Sequence, residues 1–366
     1  MTGLHFEPKK ILVFRTGHLG DTLVALPAIW AIKQNFPDAH LTLLSNISLE
    51  SVNYTTAKGV LPAAGIFDDW LSYPTQTGML NSAVNLARLL FQIRAKKIDT
   101  LIYLMSRNRQ PRQVARDVQF FKFAGIRQHA GEKYLLENFL PETASAPLPV
   151  LEREYIFNLR CMEEEGIALQ PGSDPNELLL SDAEKQFAEM WLKENCAGAL
   201  NEGRMIAVAP GSKWDSKVWD EEKFTETLSR LITHKNLFPI IFGGPEDRDK
   251  GERILKKIGI GANAAGKLGI REAAAALSHC RLYLGNDTGT MHLAAAVGVP
   301  CVAIFAAIDY PGRWYPFGER NIILRKSVPC EGCHSPKCKF NRECLDIGVD
   351  EVYEACLKIL EVEVKK

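Results

Sequence analysis

The chain lacks a net charge, since its 366 residues carry 44 Lys and Arg against 44 Asp and Glu. No global field draws it to nucleic acid, and an anionic partner has to be met by a local patch. It also lacks any apolar run long enough to span a bilayer, and Met1 to Lys10 has no apolar core of the kind a signal peptide needs. The expectation is a cytoplasmic protein. Lys9, Lys10, Lys96 and Lys97 offer a peripheral contact with an anionic membrane surface, against the plainer reading of scattered lysines on a soluble surface. Low-complexity tracts and short repeats are missing as well. So is the dinucleotide fingerprint in the first glycine loop, Arg15-Thr16-Gly17-His18-Leu19-Gly20-Asp21, where the glycines stand three apart. A Rossmann dehydrogenase is disfavoured.

What is present is 46% hydrophobic residues in a chain long enough for two domains. Strand-like runs at Ile11 to Phe14, Leu41 to Leu44 and Thr100 to Leu104 alternate with helical periodicity at Thr22 to Gln34, Ser82 to Arg94 and Gln113 to Phe123. Gly166 to Asp174 interrupts this with turn chemistry ahead of a helix that Ser181 and Glu184 would cap as a box. The alternation then restarts, with strands at Met205 to Ala209, Pro239 to Phe242, Arg281 to Leu284 and Cys301 to Phe305. Helices are expected at Glu221 to Thr233, Asp247 to Ile258, Arg271 to Ser278 and Gly289 to Val297. The pattern predicts two parallel, doubly wound α/β domains, 1–172 and 173–348. An amphipathic helix in 349–366 is expected to pack back across the first domain.

Four strand-end loops carry chemistry, because ligands bind at the carboxyl ends of strands in open α/β sheets. In the first domain Asp21 starts a helix where a strand ends, as a catalytic carboxylate or as an ordinary N-cap. In the second, Leu282 to Ala296 reads as a strand ending in Gly285-Asn286-Asp287 and a helix opening with the amides of Thr288, Gly289 and Thr290. That is an anion site, unless Asp287 simply caps the helix. His292 on the first turn serves either the ligand or the core. The loop Ala209 to Trp219 brings Gly211, Ser212, Lys213 and Lys217, suited to a diphosphate whose charge grows as a bond to it breaks, or else to solvent. Phe242-Gly243-Gly244-Pro245-Glu246-Asp247 sets carboxylates where ribose hydroxyls would be held or where a helix is capped.

Three of these motifs in order, Leu19-Gly20-Asp21 with Leu26-Pro27-Ala28, Pro210-Gly211-Ser212 with Lys217, and Asn286-Asp287-Thr288-Gly289 with His292, resemble glycosyltransferase family 9, the ADP-heptose:lipopolysaccharide heptosyltransferases. The resemblance runs from about Lys10 to Cys344. It implies a GT-B architecture, two Rossmann-like doubly wound domains facing across a cleft. It also implies an inverting transfer of heptose from ADP-heptose to a lipopolysaccharide core, or a related glycolipid or protein acceptor, without a catalytic metal. Asp21 matches the family's general base and Lys217 the lysine on the donor phosphates. Thr288 and Gly289 match the amides that hold those phosphates, Asp287 the acid near the sugar hydroxyls, Asp247 the ribose contact, and Leu268 the residue whose backbone meets adenine. His292 matches a motif histidine, and Gly20, Gly211, Ser212 and Lys213 stand within the donor-site motifs. The implied partners are a nucleotide sugar and a lipid-linked oligosaccharide, with no nucleic acid. The implied location is the cytoplasm, with any membrane contact on the cytoplasmic face of the inner membrane. A sugar-nucleotide epimerase of similar fold and a noncatalytic nucleotide-sugar binder are the competing readings.

Arg107, Arg109 and Arg112, with Arg116, cluster after the strand Thr100 to Leu104, to grip acceptor phosphates or to begin a solvated helix. Of nine cysteines, five are expected to pack in cores. The other four, Cys330, Cys333, Cys338 and Cys344, stand close enough in sequence to enclose a structural Zn or Fe ion, with His334 as a spare ligand. Reduced thiols or one disulfide are the alternatives.

Overall fold

A computed structural model of the chain describes residues 7–48, 55–75, 79–140, 146–172, 174–196 and 198–363. Most of the leader expectation, and residue 173 at the expected domain boundary, lie outside these. The chain forms two compact units, Met1–Thr143 with Glu152–Leu179, and Ala144–Leu151 with Leu180–Lys366. The division thus falls after Leu179 rather than after residue 172.

In the first unit β1 (Lys10–Phe14), β2 (His40–Ser48), β3 (Asp69–Thr75), β4 (Thr100–Tyr103) and β5 (Gln128–Ala130) form a parallel sheet in the order β3-β2-β1-β4-β5. Ile11, Leu12 and Val13 have no exposed surface, because a central parallel strand is covered on both faces and needs a continuous apolar run. The chain winds outward from β1 through β2 to β3, then returns to place β4 on the other side of β1. The gap between the ends of β1 and β4 is therefore the topological switch point.

The second unit repeats the plan with β6 (Met205–Ala209), β7 (Phe238–Ile241), β8 (Ala262–Asn263), β9 (Tyr283–Asn286), β10 (Cys301–Phe305) and β11 (Ile322–Arg325), in the order β11-β10-β9-β6-β7-β8, all parallel. Its switch point lies between β6 and β9.

Two sequence expectations need correction. The helix over Thr22 to Gln34 is two helices, Leu19–Leu23 and Leu26–Asn35, because Pro27 near the start of the second can neither donate to the preceding turn nor avoid its carbonyl. Asp21 consequently sits in the third position of a short helix that begins after His18, rather than at its start. The C-terminal helix, Val349–Glu363, packs into the core of the second unit. Val352, Tyr353, Cys356, Ile359 and Leu360 are buried in the second unit's core with Trp219, Phe224 and Leu228, and Tyr353 Oη bonds His234 Nδ1 at 2.8 Å. Its apolar stripe is satisfied there.

No helix among the described residues is long and apolar enough to cross a membrane. The five cysteines outside the cluster, Cys161, Cys196, Cys280, Cys301 and Cys356, are all buried free thiols. Burial pushes the Cys196 thiol up to about 11 and drives the other four well above their usual value.

Candidate active site

In the first unit the switch-point loop is held from beneath by Arg15, whose side chain is buried. Its Nε and Nη2 donate to the Asp21 carbonyl at 3.0 and 2.6 Å, and Nη1 donates to the Leu104 carbonyl at 3.3 Å. One guanidinium thus ties the loop after β1 to the end of β4. The Gly17 amide donates to Asn46 Oδ1 at 2.9 Å, adding the end of β2. Gly17 has φ +138°, and a Cβ there would stand 2.3 Å from Asp21 Cβ, so the closeness of these two residues requires glycine. The Asp21 carboxylate accepts from the His18 amide at 2.9 Å through Oδ2, while Oδ1 lies 3.9 Å from Arg15 Nη2. A quarter of the side chain stays exposed. Asp21 therefore braces its helix and still presents a carboxylate to solvent beside a fixed positive charge.

In the second unit Asp287 is not a helix cap. Its Oδ2 accepts from Lys217 Nζ at 2.6 Å, with Asp287 8% and Lys217 21% exposed. The helix Gly289–Ala296 begins at Thr288 with no side-chain cap on its amides, which leaves the positive end of its dipole to an anion. Lys217 Nζ also stands 5.6 Å above the Trp214 ring, which is partly exposed, whereas Trp219 is in the core. Ser212 Oγ accepts from the Trp214 amide at 3.3 Å, and Lys213 is exposed on the same loop.

Asn286 explains why the loops after β6 and β9 stay together. Fully buried, it accepts from the Trp219 amide at 3.1 Å and donates to the Pro210 and Gly211 carbonyls at 3.0 and 3.2 Å. Replacing it with alanine strands these three backbone groups. Asn286→Ala is expected to cost roughly 2–4 kcal/mol of stability, seen as a lower urea midpoint, and an unchanged midpoint would remove the clamp from the account.

Asp247 bridges the loops after β6 and β7. Its Oδ2 accepts from the Gly244 amide at 3.0 Å, and a Cβ at Gly211 would fall 1.7 Å from its Oδ1, so only glycine fits against it. Burial holds its carboxyl above the usual range, and burial likewise lowers Lys250, whose Nζ reaches toward the Pro210 carbonyl at 3.4 Å. Leu268 is half-buried between β8 and the helix Ile270–Leu277. His292 is buried with its ring 6.4 Å from that of Trp314.

The arginines that follow β4 differ in their surroundings. Arg107 is turned into its unit, where Nη2 bonds Glu152 Oε1 at 2.8 Å and the guanidinium lies 4.1 Å over Phe157. Arg109 is bound to Asp117 and to Tyr103 Oη. Arg107 and Arg109 thus each hold an ion pair within the unit, and Arg112 lies on the surface.

The four clustered cysteines are free thiols that border one cavity of about 430 Å³ together with His334. Among the described residues no three His, Cys, Asp or Glu side chains stand in position to hold an ion. The segment is fastened to the Lys217 loop. Ser216 Oγ donates to the Ser335 carbonyl at 2.6 Å, the Ser216 amide to the Pro336 carbonyl at 3.1 Å, and Arg342 Nη1 to the Val218 carbonyl at 3.2 Å.

Sequence reading missed Arg15, Asn286 and Lys250 as organisers of these loops. Arg15 and Asn286 lie inside the motifs that were read, but nothing in a linear pattern says that a polar side chain turns inward.

Two doubly wound parallel sheets, each with polar groups gathered at its own switch point, define a GT-B glycosyltransferase fold. The family described as "Glycosyltransferase family 9 (heptosyltransferase)" matches residues 165–343. Lipopolysaccharide heptosyltransferase 3 of Escherichia coli K12 is 25% identical over 323 residues, covering 83% of this chain and 84% of its own. Among solved structures, a family 9 glycosyl transferase from Veillonella parvula superposes with a TM-score of 0.73 at 19% identity, covering 98% and 99% of the two chains. The Escherichia coli ADP-heptose lps heptosyltransferase II does so with a TM-score of 0.65 at 19% identity, covering 97% and 99%. The chain is thus similar to glycosyltransferase family 9 over residues 165–343 and to a lipopolysaccharide heptosyltransferase over most of its length.

Proposed function

We propose that the chain transfers heptose from ADP-heptose to the core of a lipopolysaccharide or a related lipid-linked acceptor, with inversion at the anomeric carbon. The observation that carries this reading is the second unit's switch point, where the Lys217–Asp287 pair and the helix Gly289–Ala296, whose first amides have no side-chain cap, follow the ends of β6 and β9. The names of the relatives support heptose and lipopolysaccharide. In the reaction Asp21 takes the proton of an acceptor hydroxyl, whose oxygen forms a bond to the anomeric carbon as the bond to the diphosphate breaks. Lys217 and the amides of Thr288 and Gly289 stabilise the charge on the departing ADP, and Asp287, paired with Lys217 in the free protein, contacts sugar hydroxyls. Asp247 takes the ribose and the Leu268 backbone the adenine. Calorimetry against ADP-, GDP- and UDP-sugars tests the donor: ADP-heptose binding tightest supports it, and preference for another nucleotide rejects it. Release of ADP together with a heptose-sized mass gain on a core glycolipid tests the transfer.

The cysteine segment fits a structural metal better than a set of idle thiols. Cys338 Sγ accepts from the amides of Phe340 and Arg342 at 3.3 and 3.2 Å, which ties the sulfur to the backbone of its own segment. Cys330, Cys333, Cys338 and Cys344 would hold Zn or Fe by turning into the cavity they border, and the ion would cross-link the segment. Purified protein is expected to carry about one such ion per chain by elemental analysis, lost in Cys338→Ser. Because the segment braces Ser216 and Val218, the same variant should weaken ADP binding through Lys217. Metal-free protein with full ADP affinity would refute both.

A further inference from the structure

The helices Met79–Lys96 and Pro111–Phe123 of the first unit present a surface that the transfer reaction does not use. On the first, Val84, Arg88, Phe91 and Ala95 follow one another at helical spacing and all are exposed, Phe91 by 75%. On the second, Arg112, Arg116, Gln119 and Phe123 form the matching stripe, with Phe123 65% exposed. Arg94 joins the two stripes, since its Nη2 donates to the Phe123 carbonyl at 2.8 Å and its guanidinium lies 5.1 Å from the Phe123 ring centre. Large apolar side chains left this open on a folded surface mark a place of contact.

The exposed charge carried by the two helices themselves has one sign, with Lys96 paired to Asp69 of β3. The two helices contain Arg88, Arg94, Lys96, Arg112, Arg116 and Lys122, and their single acidic residue, Asp117, is buried between Arg109, Arg116 and Tyr103. Exposed rings and cations therefore alternate with no exposed carboxylate on either helix. A guanidinium stacked on an exposed ring sets positive charge and apolar surface at the same depth. That combination matches the boundary of an anionic bilayer, where phosphates and the first methylenes occupy one layer. A protein partner would instead have to supply several carboxylates and an apolar socket for each of two projecting rings.

We propose that these two helices dock the protein on an anionic phospholipid surface, with Phe91 and Phe123 entering the headgroup layer and the arginines binding lipid phosphates. The inference does not depend on the donor or acceptor named above. It is tested by flotation of the full chain with vesicles of phosphatidylcholine alone and of phosphatidylcholine with phosphatidylglycerol, neither of which contains an acceptor. Binding is expected only to the anionic vesicles, weakening as salt rises, and falling about tenfold in Phe91→Ser/Phe123→Ser and in Arg88→Glu/Lys122→Glu. Phe91→Trp gives an independent reading, because its emission should shift to the blue on addition of anionic vesicles. Equal binding to neutral vesicles, binding unaltered in both double variants, or a tryptophan blind to lipid would overturn the proposal. A lipid-free dimer that Phe91→Ser dissolves would overturn it too, assigning the surface to a second copy of the chain.

Discussion

Asp21→Asn is expected to lower the rate of glycosyl transfer by about two to four orders of magnitude while leaving donor affinity unchanged. Asparagine is the informative substitution because its side-chain oxygen can still accept from the His18 amide, the contact the carboxylate makes at 2.9 Å. The helix Leu19–Leu23 keeps its brace, and only the capacity to take a proton is lost. Asp21→Ala removes both, and should add a stability loss of about 1 kcal/mol to the same kinetic defect. Measured turnover of the two variants, with melting temperatures alongside, separates the roles. If Asn retains full turnover, Asp21 is a cap and nothing more, and the proton must leave by another route.

Lys217→Met is expected to cost about two to three orders of magnitude in turnover, the usual loss when one fixed positive partner of a developing anion is removed. The ion pair adds a second consequence. Asp287 is 8% exposed and has Lys217 as its salt-bridge partner at 2.6 Å, so removing the lysine strands a largely buried carboxylate. A lower melting temperature should accompany the kinetic loss, and saturating ADP should restore less of it than in the parent protein. Lys217→Arg is not a full rescue, since a longer planar fork cannot set its charge where the compact ammonium meets Asp287 at 2.6 Å. Normal turnover in Lys217→Met would move the leaving-group role elsewhere on the loop, with Lys213 the next candidate.

The elements that proved legible are the buried, continuous ones. β1, β6 and β10 announce themselves because both faces of a central parallel strand demand apolar side chains. The edge and short strands β3, β5, β8 and β11 went unread. β3 carries Pro74 and buries only Leu71 among its described side chains, and β8 is two residues long, so their strand state is conferred by the neighbour they pair with. The C-terminal helix is legible as a helix, and its amphipathic stripe says only that it must be covered; which residues of the second unit's core cover it is set by the fold.

The same division runs through the site. Sequence alone determined that a carboxylate, a lysine loop and a small-residue helix start follow strands, since glycine spacing and apolar runs are local properties of the chain. It could not decide that Asp287 would answer Lys217 across 70 residues rather than cap its own helix. Nor could it decide that Arg15 would turn inward to bind the end of β4, or that Arg107 would spend its charge on Glu152. Those choices depend on which strands become neighbours. Strand order is set by burying every sheet face at once, a condition on the whole unit that no window of sequence contains.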